Sequence, residues 1–447
     1  MKANSKNKKR WAFFTYAHNY GDCSRAIEIG KAMQAEGHEV KFFIHGGMFV
    51  KDIQIAKLDV EILQPEISLS QHEMLMAMDQ HRVPLNTPLP FTEQQLIDMV
   101  DANLKALEEF KPDGVFCGLD VSALLAVKYS GLPMITFIPT ALTASFFKAG
   151  LASFPNALET NPVIRYCLPT TLKNYLVNRI MLGKSAKKSA RTYNIVRKRY
   201  GLDPVYNYPE LVKGDLTLLP DLPELSGLPS SQLSKDCIYT GPVFANLDLP
   251  IPPEVKEVFS QDGINVFIAM GSSGAPELLK RVVNTVTSDE RYNVVCATTS
   301  IIDPAALGPQ TRRFYATRFL PAAPVNEMAD IAIIHGGQGT VQNAVYSATP
   351  VVGFGMQWEQ QANLDGLALA GCAIRIPIHS ARPKTIKKAL EKISEEPYRT
   401  NALKLSQYVK SFDGVKETVL KMNEFIKLEQ TAQRLDGLSP RIIRRQQ

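Results

Sequence analysis

Apolar and polar residues along the first part of the chain follow two distinct spacings, one typical of strands and one typical of helices. Short apolar runs at residues 11–17, 39–44, 114–117 and 134–138 are typical of buried strands, and residues 23–35 have the spacing of a helix that Gly37 ends. Strands that alternate with helices in this way are typical of a parallel sheet.

The clearest helix start lies just before residue 93. Thr92 followed three residues later by Gln95 is a capping-box pattern, and Pro112 stops the run. Four apolar side chains carry the helical spacing between them, namely Ile97, Val100, Leu104 and Leu107. The pattern predicts one helix between Thr92 and Pro112.

The second half of the chain repeats this alternation of strand and helix patterns. Helical patterns at 276–286 and 364–370 lie between β-type runs at 265–270, 293–297, 331–335, 351–354 and 373–376. Residues 239–254, between the halves, are rich in Pro and Gly, which suits a linker.

We therefore predict an α/β fold with two Rossmann-like domains that face each other across a cleft. The predicted parts are a basic tail (1–10), an N-terminal domain (11–236), a linker (237–254), a C-terminal domain (255–410) and a final helix with a basic tail (411–447). Ligands of such sheets bind beyond the carboxyl ends of the strands, so the loops there are expected to carry the chemistry.

Composition and charge narrow the class of protein. The chain has 447 residues, of which 45% are apolar and 21% charged, enough for buried cores in large domains. Its formal net charge of +6 is unevenly distributed, because residues 1–10, 160–202 and 434–447 together carry +18 and leave the rest near −12. A uniformly basic surface for nucleic acid is therefore excluded.

Cysteine usage and the apolar segments indicate a cytoplasmic protein. The six cysteines include no CxxC pair, so neither a zinc site nor a disulfide framework is indicated, and a reducing compartment is expected. The apolar run near the start is too short for a secretion signal, and the stretch at 131–147 falls short of a membrane span. Membrane contact is expected only at the surface of the protein.

Residues 330–377 hold the most informative pattern. A buried strand ends at His335, three glycines follow within a few positions, and a helix begins near Thr340. Glycines let the backbone approach a ligand closely, and the N–H groups and dipole of a helix start favour a phosphate. A tight turn without a ligand would have the same glycines. A dinucleotide-binding fingerprint is disfavoured, because Gln342 stands where its third glycine belongs.

HGGQGTVQNA followed by GFGMQWEQQAN resembles the donor-site signature of the nucleotide-sugar-dependent glycosyltransferases of the UDP-glucosyltransferase and macrolide-glycosyltransferase superfamily, which have the two-domain GT-B fold. The segment VFIAMGSSG is similar to the first C-terminal strand and serine loop of that family. The resemblance implies that the N-terminal domain binds an acceptor and the C-terminal domain binds the nucleotide sugar. The implied donor-binding residues are Ser272, Ser273, Ala322, His335, Gly337, Gln338, Gly339, Thr340, Asn343, Trp358, Glu359 and Gln360.

Two positions depart from the family pattern. Asn343 stands where a glutamate usually binds the ribose, which leaves the nucleotide open between UDP, dTDP and others. Ala322 stands where glutamine is common in the nucleobase segment, although a contact through its backbone would survive the change.

The N-terminal signature is YGDCSRAIEIGKAMQAEGHEV. Most of the family has a Gly-His pair fifteen residues before the glycine of the final turn, and that histidine is the catalytic base; here Asp22 stands at its position. The resemblance is therefore to the Gly-Asp subgroup, which includes enzymes that act on glycopeptide and sterol-like acceptors. It implies that Asp22 is the base, a role open to a carboxylate when partial burial raises its pKa.

Each candidate also has an ordinary structural interpretation. Asp22 would equally serve as the N-cap of the helix that follows it, and His18 is either a competing base or a plain loop residue. Asp120 resembles the family's acidic residue that orients the base, but it too would suit a helix cap. Glu359 and Gln360 would otherwise be an exposed helix start.

The acid-free stretch 165–199 mixes basic residues with apolar ones. Two interpretations fit this segment: a solvated pair of helices near the cleft, or a surface that contacts anionic lipid headgroups or an anionic acceptor.

The resemblance implies an inverting, metal-independent glycosyltransferase that moves a sugar from a UDP- or dTDP-linked donor to a hydroxyl of an apolar small-molecule or lipid acceptor. The nucleotide sugar is a co-substrate, and no cofactor, metal or nucleic-acid partner is expected. The acceptor is expected near Phe49, Phe146, Phe147 and Tyr166. Two other classes remain open: a catalytically silent nucleotide-sugar-binding protein, and a GT-B-fold sugar-nucleotide epimerase.

Overall fold

The computed structural model describes residues 8–67, 91–184, 186–187, 189–244, 250–271, 275–299 and 301–435. The strands in this part of the chain are β1 (Arg10–Phe14), β2 (Glu39–Ile44), β3 (Asp59–Ile62), β4 (Gly114–Cys117), β5 (Met134–Phe137), β6 (Leu216–Leu219), β7 (Cys237–Tyr239), β8 (Ile264–Ala269), β9 (Tyr292–Ala297), β10 (Phe314–Thr317), β11 (Ile331–Ile334), β12 (Val351–Gly353) and β13 (Ala373–Arg375).

Helices lie between most of these strands. They are α1 (Tyr20–Ala35), α2 (Val50–Ile55), α3 (Glu93–Phe110), α4 (Val121–Ser130), α5 (Ala144–Lys148), α6 (Pro162–Cys167), α7 (Thr170–Leu182), α8 (Arg191–Arg199), α9 (Tyr208–Leu211), α10 (Pro223–Ser226), α11 (Pro253–Phe259), α12 (Pro276–Thr287), α13 (Ala322–Glu327), α14 (Gln338–Tyr346), α15 (Trp358–Leu369), α16 (Pro383–Ile393), α17 (Glu396–Lys410) and α18 (Gly414–Leu435). No helix in the described ranges is long and apolar enough to cross a membrane.

The strands form two parallel sheets, which confirms the predicted α/β class. The first sheet has the order β3-β2-β1-β4-β5-β6-β7, and the second has the order β10-β9-β8-β11-β12-β13. Each sheet reverses its strand order at one place, between β1 and β4 and between β8 and β11. Open parallel sheets bind ligands beyond the carboxyl ends of the strands at such a reversal.

The structure extends the sequence prediction mainly at short strands. The strands expected from apolar runs are present to within three residues at each end, and both halves of the capping box between Thr92 and Gln95 form. The pattern missed β3, β6, β7 and β10, which are three or four residues long. Strand β7 is the edge of the first sheet, so the first residues of the predicted linker belong to that sheet.

The last helix joins the C-terminal end of the chain to the first sheet. Val419, Met422 and Ile426 of α18 are buried in the same apolar cluster as Trp11 and Phe13 of β1. A Cβ placed on Gly114 would lie 2.5 Å from the Cδ1 atom of Ile426, so the helix packs directly on β4. The first domain therefore depends on residues from the far end of the chain.

Replacing Ile426, which is 1% exposed, with alanine should lower the free energy of unfolding by about 2–5 kcal/mol, because it leaves a cavity under the first sheet. Leu428 lies on the same helix and is 69% exposed, so Leu428→Ala should change the stability by no more than about 0.5 kcal/mol. Urea unfolding followed by circular dichroism measures both. Equal losses in the two variants would contradict the docking of α18.

Candidate active site

The candidate residues gather at the two places where the sheets reverse their strand order. Asp22 lies in α1 after β1, Asp120 lies between β4 and α4, and His335 directly follows β11. Gly271 follows β8 in the same way. Ser272 and Ser273, the next two residues of the chain, lie outside the described residues.

Asp22 is held in a buried pocket of hydrogen-bond donors. Its Oδ2 atom accepts from the Thr15 hydroxyl at 2.7 Å, the Tyr16 N–H at 2.8 Å and the Leu119 N–H at 3.3 Å. A Cβ at Gly118 would overlap the carboxylate. The N-cap of α1 is Asn19, whose side chain accepts from the Asp22 N–H, so the alternative that Asp22 is the cap is wrong.

Burial raises the pKa of Asp22, against the opposing effect of its hydrogen bonds and of the Arg25 guanidinium. Its three bonds all go to Oδ2, and within the described residues none goes to Oδ1. A carboxylate fixed through one oxygen, with a raised pKa, has the properties of a general base.

His18 and Asp120 make other contacts. Because the Ile67 carbonyl only accepts, the Nε2–H of His18 donates to it over 3.1 Å, and burial lowers the pKa of this histidine. Its Nδ1 atom has no partner among the described residues. Asp120 is the N-cap of α4, with Oδ1 accepting from the Ser122 and Ala123 N–H groups, and makes no hydrogen bond to Asp22.

His335 is wedged between two glycines. A Cβ at Gly271 would overlap the imidazole, and one at Gly337 would lie 2.5 Å from its Nε2 atom. Burial lowers the pKa of His335 to about 4. The imidazole is therefore neutral at physiological pH and offers a hydrogen bond rather than a charge.

Helix α14 begins at the glycine turn, with Gly337 as its N-cap. The Thr340 hydroxyl donates to the Gly337 carbonyl at 2.8 Å. A Cβ at Gly339 would meet nothing within 4 Å, so this side of the helix start is open. Free N–H groups beside an open space are the arrangement that binds phosphate.

Gln338 points away from this open side. Its side chain donates to the Pro220 carbonyl at 3.1 Å, and Gln342 donates to the same oxygen at 2.6 Å. Pro220 follows β6 of the first sheet. Both glutamines therefore tie the glycine turn of residues 336–339, the proposed donor turn, to the other domain. Gln342, which stands where a dinucleotide-binding fingerprint would have its third glycine, thus has a structural role.

The start of α15 connects to the same turn. The Asn363 amide donates to Glu359 at 2.6 Å and to the Gly336 carbonyl at 2.9 Å. The Oε1 atom of Gln360 accepts from the N–H groups of Met356 and Gln357 and caps the helix. Gln360 is 2% exposed and Glu359 half-buried, so the alternative of an exposed helix start is wrong.

Aromatic residues expected at the ligand sites pack against each other instead. The ring of Trp358 lies 5.5 Å from that of Phe147 and 6.2 Å from that of Tyr208. Phe146 and Phe147 are each 2% exposed, so they form part of a buried cluster between the domains and do not line an open acceptor surface. The ring of Phe49 lies 5.1 Å from that of Tyr20 in a tilted arrangement, and Tyr166 is exposed.

Asn343 and Ala322 lie on neighbouring helices of the C-terminal domain. Asn343 is half-buried on α14, and Ala322, the first residue of α13, is half-buried with its carbonyl accepting from Asn326 at 2.8 Å. Helices α13 and α14 pack together.

Two charged residues of the cleft were missed by the sequence analysis. Arg25 and Asp221 are 7% and 5% exposed, and the charge of Arg25 acts on Asp22, Asp221 and Glu359. Arg25 follows Asp22 at a spacing that places both on one side of α1, which was a usable signal. Asp221 follows β6, a strand that the pattern did not reveal. No metal-binding group of three or more His, Cys, Asp or Glu occurs in the described ranges.

Comparison with known proteins agrees with this geometry. Residues 265–423 match the family described as Glycosyltransferase family 28 C-terminal domain. A PGL/p-HBAD biosynthesis rhamnosyltransferase of Mycobacterium bovis is 25% identical over 69% of this chain, which spans 66% of the relative's length. Human UDP-glucuronosyltransferase 2B28 is 27% identical over 35% of this chain and 30% of its own.

Solved structures share the two-domain architecture. The glycotransferase of kitacinnamycin aligns with a TM-score of 0.67 and 16% identity, over 94% of this chain and 99% of that one. The spinosyn rhamnosyltransferase aligns with a TM-score of 0.64 and 15% identity, over 93% and 100%. The chain therefore has the two-domain GT-B fold of these glycosyltransferases. The family resemblance seen in the sequence is thereby confirmed.

The buried carboxyl of Asp221 generates a stability prediction. Burial raises the pKa of Asp221 from 3.8 to about 7, so the folded chain holds the proton of this carboxyl more tightly than the unfolded chain does. The stability that results is fully present below pH 3.8 and is lost as the pH rises through 7. Asp221→Asn, which stays neutral and keeps the acceptor for the Leu222 N–H, should gain stability relative to the native chain between pH 4.5 and 8, by up to about 4 kcal/mol.

Urea unfolding at the two pH values measures this gain. Asp203→Asn, at an exposed position, is the matched control and should show no such trend. A difference between Asp221→Asn and the native chain that does not change with pH would contradict the buried carboxyl.

Proposed function

We propose that the chain transfers a sugar from a nucleotide diphosphate sugar to a hydroxyl of an apolar small-molecule or lipid-like acceptor, with inversion at the anomeric carbon. One observation carries the proposal beyond the family. The charge of Arg25 acts on Asp22 from the first domain and on Glu359 from the second, so the proposed base and the proposed sugar contact face the same cleft.

Asp22 acts as the general base in this proposal. It takes the proton of the acceptor hydroxyl, whose oxygen attacks the anomeric carbon from the side opposite the nucleotide. The bond from that carbon to the diphosphate oxygen breaks, and its electron pair leaves with the diphosphate. An α-linked donor therefore gives a β-glycoside. His18 is the competing base, because its Nε2–H donates to the Ile67 carbonyl and the lone pair of its Nδ1 atom has no partner among the described residues.

The donor site would stabilise the leaving diphosphate without a metal ion. The start of α14 supplies N–H groups and a partial positive charge, and the neutral His335 supplies a hydrogen bond. Glu359, which Asn363 fixes against the glycine turn, would accept hydrogen bonds from sugar hydroxyls. The half-buried Asn343 would contact the ribose more weakly than a carboxylate.

Surface chemistry supports an apolar or lipid-like acceptor. Leu172, Tyr175, Leu176 and Ile180 are each 39–58% exposed and share one face of α7 at helical spacing. Arg179 lies over the ring of Tyr175 at 5.9 Å. An exposed apolar face flanked by cations suits contact with anionic lipid at the membrane surface, where such an acceptor would reside.

Not every basic residue of the acid-free stretch 165–199 is available for that contact. Lys173 is 3% exposed and pairs with Glu159 at 2.6 Å, and the Arg197 side chain donates to the Asp203 carbonyl at 2.5 Å. These two side chains hold the local fold. The stretch is thus partly structural, and the proposed membrane contact is confined to its outer face.

Nucleotide binding tests the donor site. UDP or dTDP at a hundredfold excess over its dissociation constant should raise the stability of the native chain by about 2.7 kcal/mol, measured as a thermal shift. Gly339→Ala should remain folded, since its Cβ meets nothing, but should lose much of the shift because the methyl occupies the open side that the phosphates approach. No shift with any nucleotide diphosphate would contradict the donor site.

Replacing Asp22 with asparagine tests the base. Asp22→Asn keeps the oxygen that accepts from Tyr16 and Thr15 but cannot take a proton, so transfer should fall by at least a hundredfold while the nucleotide thermal shift stays near the native value. Retained turnover would move the base to His18. A native chain that binds nucleotide but neither hydrolyses nor transfers the sugar would indicate a silent binding protein, and a changed nucleotide sugar without acceptor would indicate an epimerase.

A further inference from the structure

Arg25 is a buried cation whose hydrogen-bonding capacity is not used by the described residues. Its side chain is 7% exposed, and its Nε atom has no partner in the described part of the chain. A Cβ on Gly21 would lie 3.6 Å from one terminal nitrogen, so the guanidinium folds back toward the start of α1. A buried arginine usually gives its N–H groups to fixed acceptors, because leaving them unpaired is costly.

The groups around Arg25 place it beside the donor turn. Glu359 is linked through Asn363 to the Gly336 carbonyl of that turn. Asp221 is the next residue after Pro220, whose carbonyl accepts from Gln338 in the first turn of α14. Arg25 therefore lies within electrostatic reach of Asp22 on its own helix and of Glu359 and Asp221, whose neighbours Asn363 and Pro220 contact the donor turn and α14.

The donor turn needs a positive charge that its own residues do not supply. A nucleotide diphosphate brings at least two negative charges, and the start of a helix offers only about half of one positive charge. His335 is neutral, and the carboxylates of Asp22 and Glu359 add negative charge. Among the described residues, Arg25 is the one basic side chain whose charge acts on both of these carboxylates.

We propose that Arg25 binds the diphosphate of the nucleotide sugar across the cleft, so that the N-terminal domain contributes a residue to the donor site. This inference rests on the proposed function. The planar guanidinium offers paired N–H donors that match two phosphate oxygens, which a lysine would not. An arginine that contacts the diphosphate and lies beside Asp22 would also hold the leaving group and the base in a fixed position relative to each other.

A competing role is purely electrostatic. Arg25 opposes the effect of burial on Asp22 and would help to keep that carboxylate ionised without touching the donor. The groups that face it are Asp22 on α1, Asp221 after β6 and Glu359 on α15. Tyr208 also lies within reach of Asp22 and Glu359, and burial raises its pKa to about 12, so it stays neutral. Loss of Arg25 would then shift the pH at which transfer activity falls on the acid side, and it would leave the affinity for the donor unchanged.

Calorimetric titration of the full chain with UDP against uridine, and with dTDP against thymidine, separates the two roles. Arg25→Gln should bind the diphosphate about ten- to a hundredfold more weakly than the native chain and bind the nucleoside equally well. Arg25→Lys, which keeps the charge but not the fork, should lose about tenfold. Arg197→Gln removes another buried arginine, outside the cleft, and should keep the native affinities.

Melting temperatures establish which variants are folded, and Arg25→Lys carries the test if Arg25→Gln does not fold. An unchanged diphosphate affinity in the folded Arg25 variants, with or without a moved pH profile, would overturn the proposal and leave the proposed function intact. A native chain that binds no nucleotide diphosphate would overturn both.

Discussion

Three glycines determine where the ionisable groups of the cleft lie. Any side chain at Gly118 would overlap the carboxylate of Asp22, and any at Gly271 or Gly337 would collide with the imidazole of His335. Each of these glycines follows a strand at the point where its sheet reverses order. The backbone thus comes close enough to surround both groups, and the resulting loss of water shifts both pKa values toward the neutral form.

That burial has an electrostatic consequence for the cleft as a whole. A neutral His335 cannot offset the charge of a diphosphate, and the carboxylates of Asp22 and Glu359 make the requirement larger. Burial raises the pKa of Asp221 to about 7, so this carboxyl is only partly ionised near neutral pH and adds less repulsion than a full charge would. In the proposed function, Arg25 supplies positive charge to this cleft from the N-terminal domain.

The sequence predicted the fold well because parallel strands buried on both faces are continuous apolar runs. It singled out the glycine turn as a candidate donor site because His335 and Gly337 stand in a recognisable order, and it made Asp22 a candidate base by its distance from Gly37. It could not show that Phe147 is buried against Trp358, or that Gln338 turns to Pro220. Those contacts join residues far apart in the chain, and nothing in local spacing reveals them. Asp221 was missed for the same reason, because its neighbours come from α1 and α15.

The contacts between the domains explain why residues of the donor signature divide into two groups. Gln338 and Trp358 belong to the signature by position, yet one holds the Pro220 carbonyl and the other packs on Phe147 and Tyr208. Helix α18 returns to the first sheet and adds a third connection. The open side of α14 at Gly339 remains for the proposed donor. Because the same signature provides residues for the proposed donor site and for the contact between the domains, the donor turn and the domain interface form one structural unit. A change in how the domains meet would therefore also change the space left for the proposed diphosphate.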